Sequence, residues 1–182
     1  MFVVLGAAGK IGRATIGALR RHNVPVRAVV RNPSHAEEFR ALGCETETAD
    51  LRDAPTLARA TKGATAVQVI CPTGVRADDA SAEMESTIRS IVDALDQVRP
   101  RSILAISDYG AQLATGTGIT LTFHHLESQL KTIPVALTVL RSAEQCRTGT
   151  AWLAARSRPV CCRACIIPSP NPSRQCPPAM SA

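Results

Sequence analysis

A chain of 182 residues with 45 % hydrophobic and 20 % charged residues can bury one sizeable core, so one globular domain is expected. No apolar run approaches membrane-spanning length, and the apolar start runs into glycines with no basic region before it, which argues against a secretory signal and for the cytoplasm. The net charge of +6 is uneven: residues 1–144 hold 16 Lys/Arg against 15 Asp/Glu, whereas residues 145–182 hold five Arg and no acid, so the main body gives no compositional case for nucleic acid binding.

Phe2 to Leu5 reads as a short buried strand, followed at once by Gly6-Ala7-Ala8-Gly9-Lys10-Ile11-Gly12 and a helical pattern reaching about His22. Asn23 is a plausible helix end. Val24 to Val30 is a second strand, closed by Arg31-Asn32-Pro33-Ser34. Ser34 with Glu37 forms a capping box for a helix from His35 to Leu42, which stops at Gly43. Glu45 to Thr48 is a third strand. Asp50-Leu51-Arg52-Asp53 leads to a short helix over Pro55 to Thr61, capped by Asp53 or Ala54 and ended by Gly63. Ala66 to Cys71 is an apolar fourth strand.

A long helix spans about Ala77 to Val98, with Met84, Ile88, Ile91, Val92, Leu95 and Val98 recurring at three- and four-residue steps. Ser102 to Ser107 is a fifth strand, Leu121 to Lys131 a helix and Val135 to Leu140 a sixth strand. Strands alternating with helices predict an α/β fold: a doubly wound parallel sheet of about six strands with right-handed crossovers, its ligand beyond the carboxyl ends of the strands.

The glycine string carries the first chemical signal. In a strand–turn–helix setting, Gly6 suits the tight turn, Gly9 a close approach by a ligand, and Gly12 close packing of helix on strand. The helix N-terminus then offers free N–H groups and a positive dipole end to a pyrophosphate. The second signal is Arg31. A site for NAD carries an acid about twenty residues beyond the glycines, and a carboxylate there repels a 2′-phosphate. A guanidinium binds one. With Lys10 as a second cation, this favours NADP(H) over NAD(H). Asp50 and Leu51 read either as adenine contacts or, for Asp50, as a helix-entry cap.

The strings VLGAAGKIGRATIGAL, RAVVRNPS, ETADLRDAPTLARA and VQVICP, with ILAISDYGA, GITLTFHHLESQL and ALTVLRSAE further on, resemble the NmrA-like group of atypical short-chain dehydrogenases over about residues 2–144. That family includes NAD(P)H-dependent quinone and azo-dye reductases and also non-catalytic dinucleotide sensors. The resemblance implies a Rossmann domain over 1–144 with a cofactor site at Gly6, Ala8, Gly9, Lys10, Ile11 and Gly12. Arg31 would hold the 2′-phosphate, Asp50 and Leu51 would flank adenine, and Cys71 and Pro72, with Thr73, would lie by the nicotinamide ribose. It implies a small-molecule acceptor, with no nucleic acid and no membrane as partner, and leaves a homodimer open.

The Tyr-x-x-x-Lys pair of typical short-chain dehydrogenases is absent: Tyr109 is the only tyrosine, and Leu113 stands four residues later. Alcohol–ketone chemistry then lacks its proton donor. Quinone or azo reduction demands less, since the acceptor is electron-poor. Ser107, Tyr109 and His124 are the candidate catalytic residues. No metal site is expected, because Cys161-Cys162-Arg163-Ala164-Cys165 has no second ligand pair in periodic sequence.

After Glu144 acids vanish, five of the seven cysteines and half of the twelve prolines crowd in, and periodicity stops. Residues 145–182 are therefore expected to form an irregular tail, either the product of a reading-frame slip or a natural disordered tail. Gln145-Cys146-Arg147-Thr148-Gly149 is compatible with CAA-TGC-AGA-ACT-GGN, whose alternative frame reads Met-Gln-Asn-Trp, close to the Met-Glu-Asn-Trp with which this family's substrate-binding segment commonly opens. On that expectation the sheet lacks its last strand, and apolar surface around Val139 and Leu140 is exposed.

Overall fold

The computed structural model describes residues 1–72, 80–116, 118–142 and 165–167. Its elements alternate in chain order: β1 (Phe2–Val4), α1 (Lys10–Arg21), β2 (Val26–Val30), α2 (Ala36–Ala41), β3 (Glu45–Thr48), α3 (Ala54–Thr61), β4 (Ala66–Ile70), α4 (Ala80–Val98), β5 (Ser102–Asp108), α5 (Thr120–Leu130), β6 (Ala136–Ser142) and β7 (Cys165–Ile167). They form one sheet in the order β3-β2-β1-β4-β5-β6-β7. The first six strands are parallel. The chain winds outward from β1 to β3, returns across the sheet, and winds the other way from β4 to β6. Strand order reverses between β1 and β4, where a doubly wound sheet opens a crevice at its carboxyl edge.

Successive strand residues point to opposite faces, so a sheet covered on both sides needs strands that are apolar throughout. β1 supplies Val3 to one face and Val4 to the other. Val3, Val67, Val69, Ile103 and Ala105 pack with Leu57 of α3, with Met84, Ile88, Ile91 and Leu95 of α4, and with Leu126 and Leu130 of α5. Val4, Val26, Ala28 and Val30 pack with Ile16 of α1 and with Ala36 and Phe39 of α2. No described helix is long and apolar enough to cross a membrane.

Three local expectations are corrected. α1 begins at Lys10 rather than after Gly12, so Gly12 lies in its first turn. Ser34 does not cap α2. Asn32 Oδ1 accepts the Ser34 N–H at 3.0 Å and opens a 3₁₀ turn over Pro33–His35 that runs into the helix. Pro33, with φ already fixed near the helical value, starts the turn two residues earlier than a serine cap allows. Beyond the six expected strands, β7 pairs antiparallel with β6, Val139 opposite Ile167 and Arg141 opposite Cys165. Three residues are too few to show an alternation, so periodicity gives no sign of this strand. Val139 and Leu140 are half-buried, and Val139 packs against the larger core. The start expected for α4, Ala77 to Asp79, lies outside the described residues, as does the rest of the tail.

Candidate functional site

β1 delivers the chain to the carboxyl edge of the sheet, and the next residues must turn back into α1 without blocking the crevice. Gly6 makes that turn at φ +64, a backbone region that disfavours side chains, and a Cβ on it would stand 2.8 Å from Ile70 Cγ2. Gly9 N–H donates to Gly6 O at 3.0 Å, closing the loop. Gly12 brings α1 so close to the loop that a Cβ there would stand 2.5 Å from Gly6 O and 2.7 Å from Ala7 O. The first backbone bond of α1 runs from Arg13 N–H to Gly9 O at 3.0 Å. The amides of Lys10, Ile11 and Gly12 therefore have no acceptor within the helix. Gly9 supplies no side-chain cap and the first turn contains no acid. The N-terminus is bare, positively polarised and lined by glycine, which is the chemistry an anion needs.

Beside it lies a cleft of about 330 Å³, bounded by the glycine loop, the ends of β2 and β3, Pro72 and α4. Among the predicted cofactor residues, Gly6, Ala8, Gly9, Arg31, Asp50, Leu51 and Pro72 line it. Lys10, Ile11 and Gly12 stand next to it in the first turn of α1. Arg31 is exposed at the end of β2 and lines the cleft; among the described residues it makes no ion pair within 4.0 Å, and its charge helps to hold the nearby Asp50 carboxyl down. Leu51 is half-buried and packs against the larger core while lining the cleft.

Asp50 lines the cleft and does not cap α3. Its carboxylate accepts the backbone N–H of Arg52 at 3.0 Å and the Arg52 side chain at 3.3 Å and 3.0 Å. The Arg52 side chain, then its backbone amide, hold the Asp50 carboxyl below the usual carboxylate range, against the upward push of burial. The cap of α3 is Asp53, whose carboxylate accepts Thr56 N–H at 3.5 Å. Arg52 reaches on to Glu83 of α4, 3.5 Å away, so one guanidinium ties the β3–α3 turn to α4 at the cleft.

Cys71 is not at the cleft. It is buried among the core residues, and burial pushes its thiol up to about 12. Only Pro72 of that pair faces the cleft. Thr73 lies outside the described residues.

The three candidate catalytic residues are not brought together on the cleft. Ser107 is buried, and its hydroxyl donates to Glu127 Oε1 at 2.6 Å. Glu127 in turn is clamped by Arg141, with Nε–H to Oε1 at 2.8 Å and Nη2–H to Oε2 at 2.5 Å. Burial pushes the Glu127 carboxyl up, but the hydrogen bonds from Arg141 and Ser107 outweigh it and the net shift is downward. His124 Nδ1–H donates to Ala111 O at 2.8 Å. Tyr109 alone is open, 64 % exposed at the carboxyl end of β5, with its backbone N–H held by Asp108 Oδ1 and Ser142 O. The residues that sequence reasoning missed are Arg52, Glu127 and Arg141. An acid on the stripe shared by Leu126 and Leu130 was the available signal for Glu127.

The "NAD(P)H-binding" family model matches residues 6–148. An NAD(P)H azoreductase from Xenophilus azovorans is 36 % identical over 72 residues, which are 40 % of this chain and 25 % of that protein. The same fold recurs in an NADPH-dependent quinone oxidoreductase of Escherichia coli solved with NADPH, at TM-score 0.72 and 23 % identity over 85 % of this chain and 53 % of that one. It recurs again in a triphenylmethane reductase of Citrobacter sp. solved with NADP(H), at TM-score 0.72 and 19 % identity over 85 % and 54 %. The chain thus spans about half the length of these solved structures. With the family model covering most of the chain and the glycine loop built as a bare helix N-terminus, this protein belongs to the NAD(P)H-binding family.

Proposed function

We propose that this chain binds NADP(H) in the cleft between the glycine loop and Arg31, as the cofactor domain of an NADPH-dependent reductase of quinones, azo compounds or similar electron-poor acceptors. The observation that carries the cofactor choice is Arg31 on the cleft wall, where an NAD site would carry an acid. The site fits the group on other grounds too. A Cβ at Gly6 or Gly12 would collide with the loop's surroundings, and the amides of Lys10, Ile11 and Gly12 have no internal acceptor. On this reading those amides bind the pyrophosphate, and Arg31 binds the 2′-phosphate. Leu51 offers an apolar wall to adenine, while Pro72 carries the cleft toward the nicotinamide end. The bound cofactor supplies a hydride, which together with a proton turns a quinone into its hydroquinone. The azoreductase, quinone oxidoreductase and triphenylmethane reductase names among similar proteins support that acceptor class.

A second reading, a non-catalytic NADP(H) sensor, is favoured by one observation: Ser107 and His124 are tied to internal partners, leaving Tyr109 as the open polar side chain of the three candidates. The test is paired. Fluorescence titration with NADPH and NADH measures binding, and NADPH consumption with a menadione-like quinone measures turnover. Tighter NADPH binding with turnover supports the reductase; tight binding without turnover supports the sensor. Equal affinity for the two dinucleotides overturns the role given to Arg31.

A further inference from the structure

Arg13 is absorbed by neither the core nor the proposed cofactor contacts, yet its guanidinium makes three contacts at once. Nε–H donates to Ala8 O at 2.9 Å. Nη1 pairs closely with Glu38 of α2. The guanidinium plane lies over the Phe39 ring, 5.5 Å from its centroid, and Phe39 is itself buried. Ala8 lines the cleft.

The peptide joining Ala8 to Gly9 is consequently held at both ends. Its N–H donates to Gly6 O at 3.0 Å and its carbonyl accepts from Arg13. A peptide next to glycine turns over readily, because glycine tolerates either orientation. If this one turned, the carbonyl would face the anion site and present a negative dipole end to phosphate oxygens. Gly9 is also the cap residue from which α1 starts, so that peptide immediately precedes the free amides of Lys10, Ile11 and Gly12. Glu38 and Phe39 fix Arg13, and through it α2 braces the loop.

We infer that Arg13 is a positioning residue for the pyrophosphate: by holding the Ala8 carbonyl out of the anion site it keeps the glycine loop in its binding form, without itself touching the dinucleotide. The inference rests on the reading that the dinucleotide binds at this loop. It also separates Arg13 from Arg31. The pyrophosphate is common to NADPH and NADH, whereas the 2′-phosphate belongs to NADPH alone.

The test titrates the full chain and its variants with NADPH and with NADH by fluorescence, with circular dichroism and a melting curve for each variant. Loss of one charge-assisted hydrogen bond in Arg13→Ala should weaken both dinucleotides by about tenfold and leave their ratio unchanged. Arg13→Lys keeps a donor for Ala8 O but loses the fork and the ring contact, and should fall between the two. Arg31→Ala should lower the ratio instead. If Arg13→Ala does not fold, Arg13→Lys and Glu38→Gln carry the same comparison, each with a loss shared by both dinucleotides. A loss confined to NADPH would make Arg13 a 2′-phosphate ligand and overturn the inference, as would unchanged affinity for both. If the unmodified chain binds neither dinucleotide, the reading of the site has failed. If it binds and Arg13→Ala binds equally well, only the role of Arg13 has failed.

Discussion

Replacing Glu127 by glutamine tests the polar core of the β5–α5–β6 unit. The Glu127 side chain is 2 % exposed and that of Arg141 14 %, so water screens the pair little. Glutamine preserves the shape and an acceptor for Ser107 but leaves the Arg141 charge uncompensated. Breaking a buried pair from one side costs about 3–5 kcal/mol, a large share of the roughly 5–15 kcal/mol that holds a domain folded. With a urea dependence of about 2 kcal/mol per molar, the midpoint should fall by about 2 M. Removing both charges, as in Glu127→Leu with Arg141→Met, should recover most of that, short of about 1 kcal/mol for the stranded Ser107 hydroxyl. The pH dependence has a definite sign. The folded carboxyl lies below its ordinary value, so its contribution is present above the unfolded pKa of about 4.3 and is lost as pH falls through the folded value. Glu127→Gln should lack that part of the acid sensitivity. Urea unfolding across pH measures all of this. A single variant within 1 kcal/mol of the parent would refute the view that the pair is desolvated.

Arg31→Asp should flatten or reverse the preference for NADPH over NADH, read from the ratio of the two dissociation constants. Gly9 has ordinary backbone angles, and a Cβ there would meet only Gly6 O at 3.3 Å, so Gly9→Val should keep its circular dichroism while losing dinucleotide binding; retained binding would place the pyrophosphate elsewhere. Gly12→Val drives a Cβ into backbone at 2.5–2.8 Å and should lower the melting temperature as well, a contrast between the two glycines that a melting curve resolves. We also propose that residues 145–182 arise from a reading-frame slip, which the coding DNA decides: an alternative frame past Glu144 should continue with Asn-Trp and periodic sequence, and its absence would end the idea.

The parts of the fold that could be read in the chain are those whose cause is local. The glycine string, the apolar strands and the stripe of α4 are each set by neighbours within a few residues, and each forms the expected kind of element, with ends shifted by a few residues. Parity carries information as well: Cys71, just past β4, has the same parity as Val67 and Val69 and packs with them in the larger core. What sequence spacing does not encode is pairing across the fold. Arg13 meets Glu38, Arg52 meets Glu83, and Glu127 meets Arg141 only because crossovers bring different helices and strands together. Asn32 displaced Ser34 as a cap because Pro33 moved the turn. The site was legible as a list of residues; its bracing was not.

The two borders of the sheet are unlike. β3 forms one border with Glu45 and Glu47 exposed along it, a charged selvage that discourages a further strand from joining. At the other border, β7 pairs with Val139, Leu140 and Arg141, while Ala136, Leu137 and Thr138 carry no charge and, among the described residues, have no strand beyond them. A strand approaching this sheet would thereby meet like-charged carboxylates along β3 but an uncharged stretch at the start of β6.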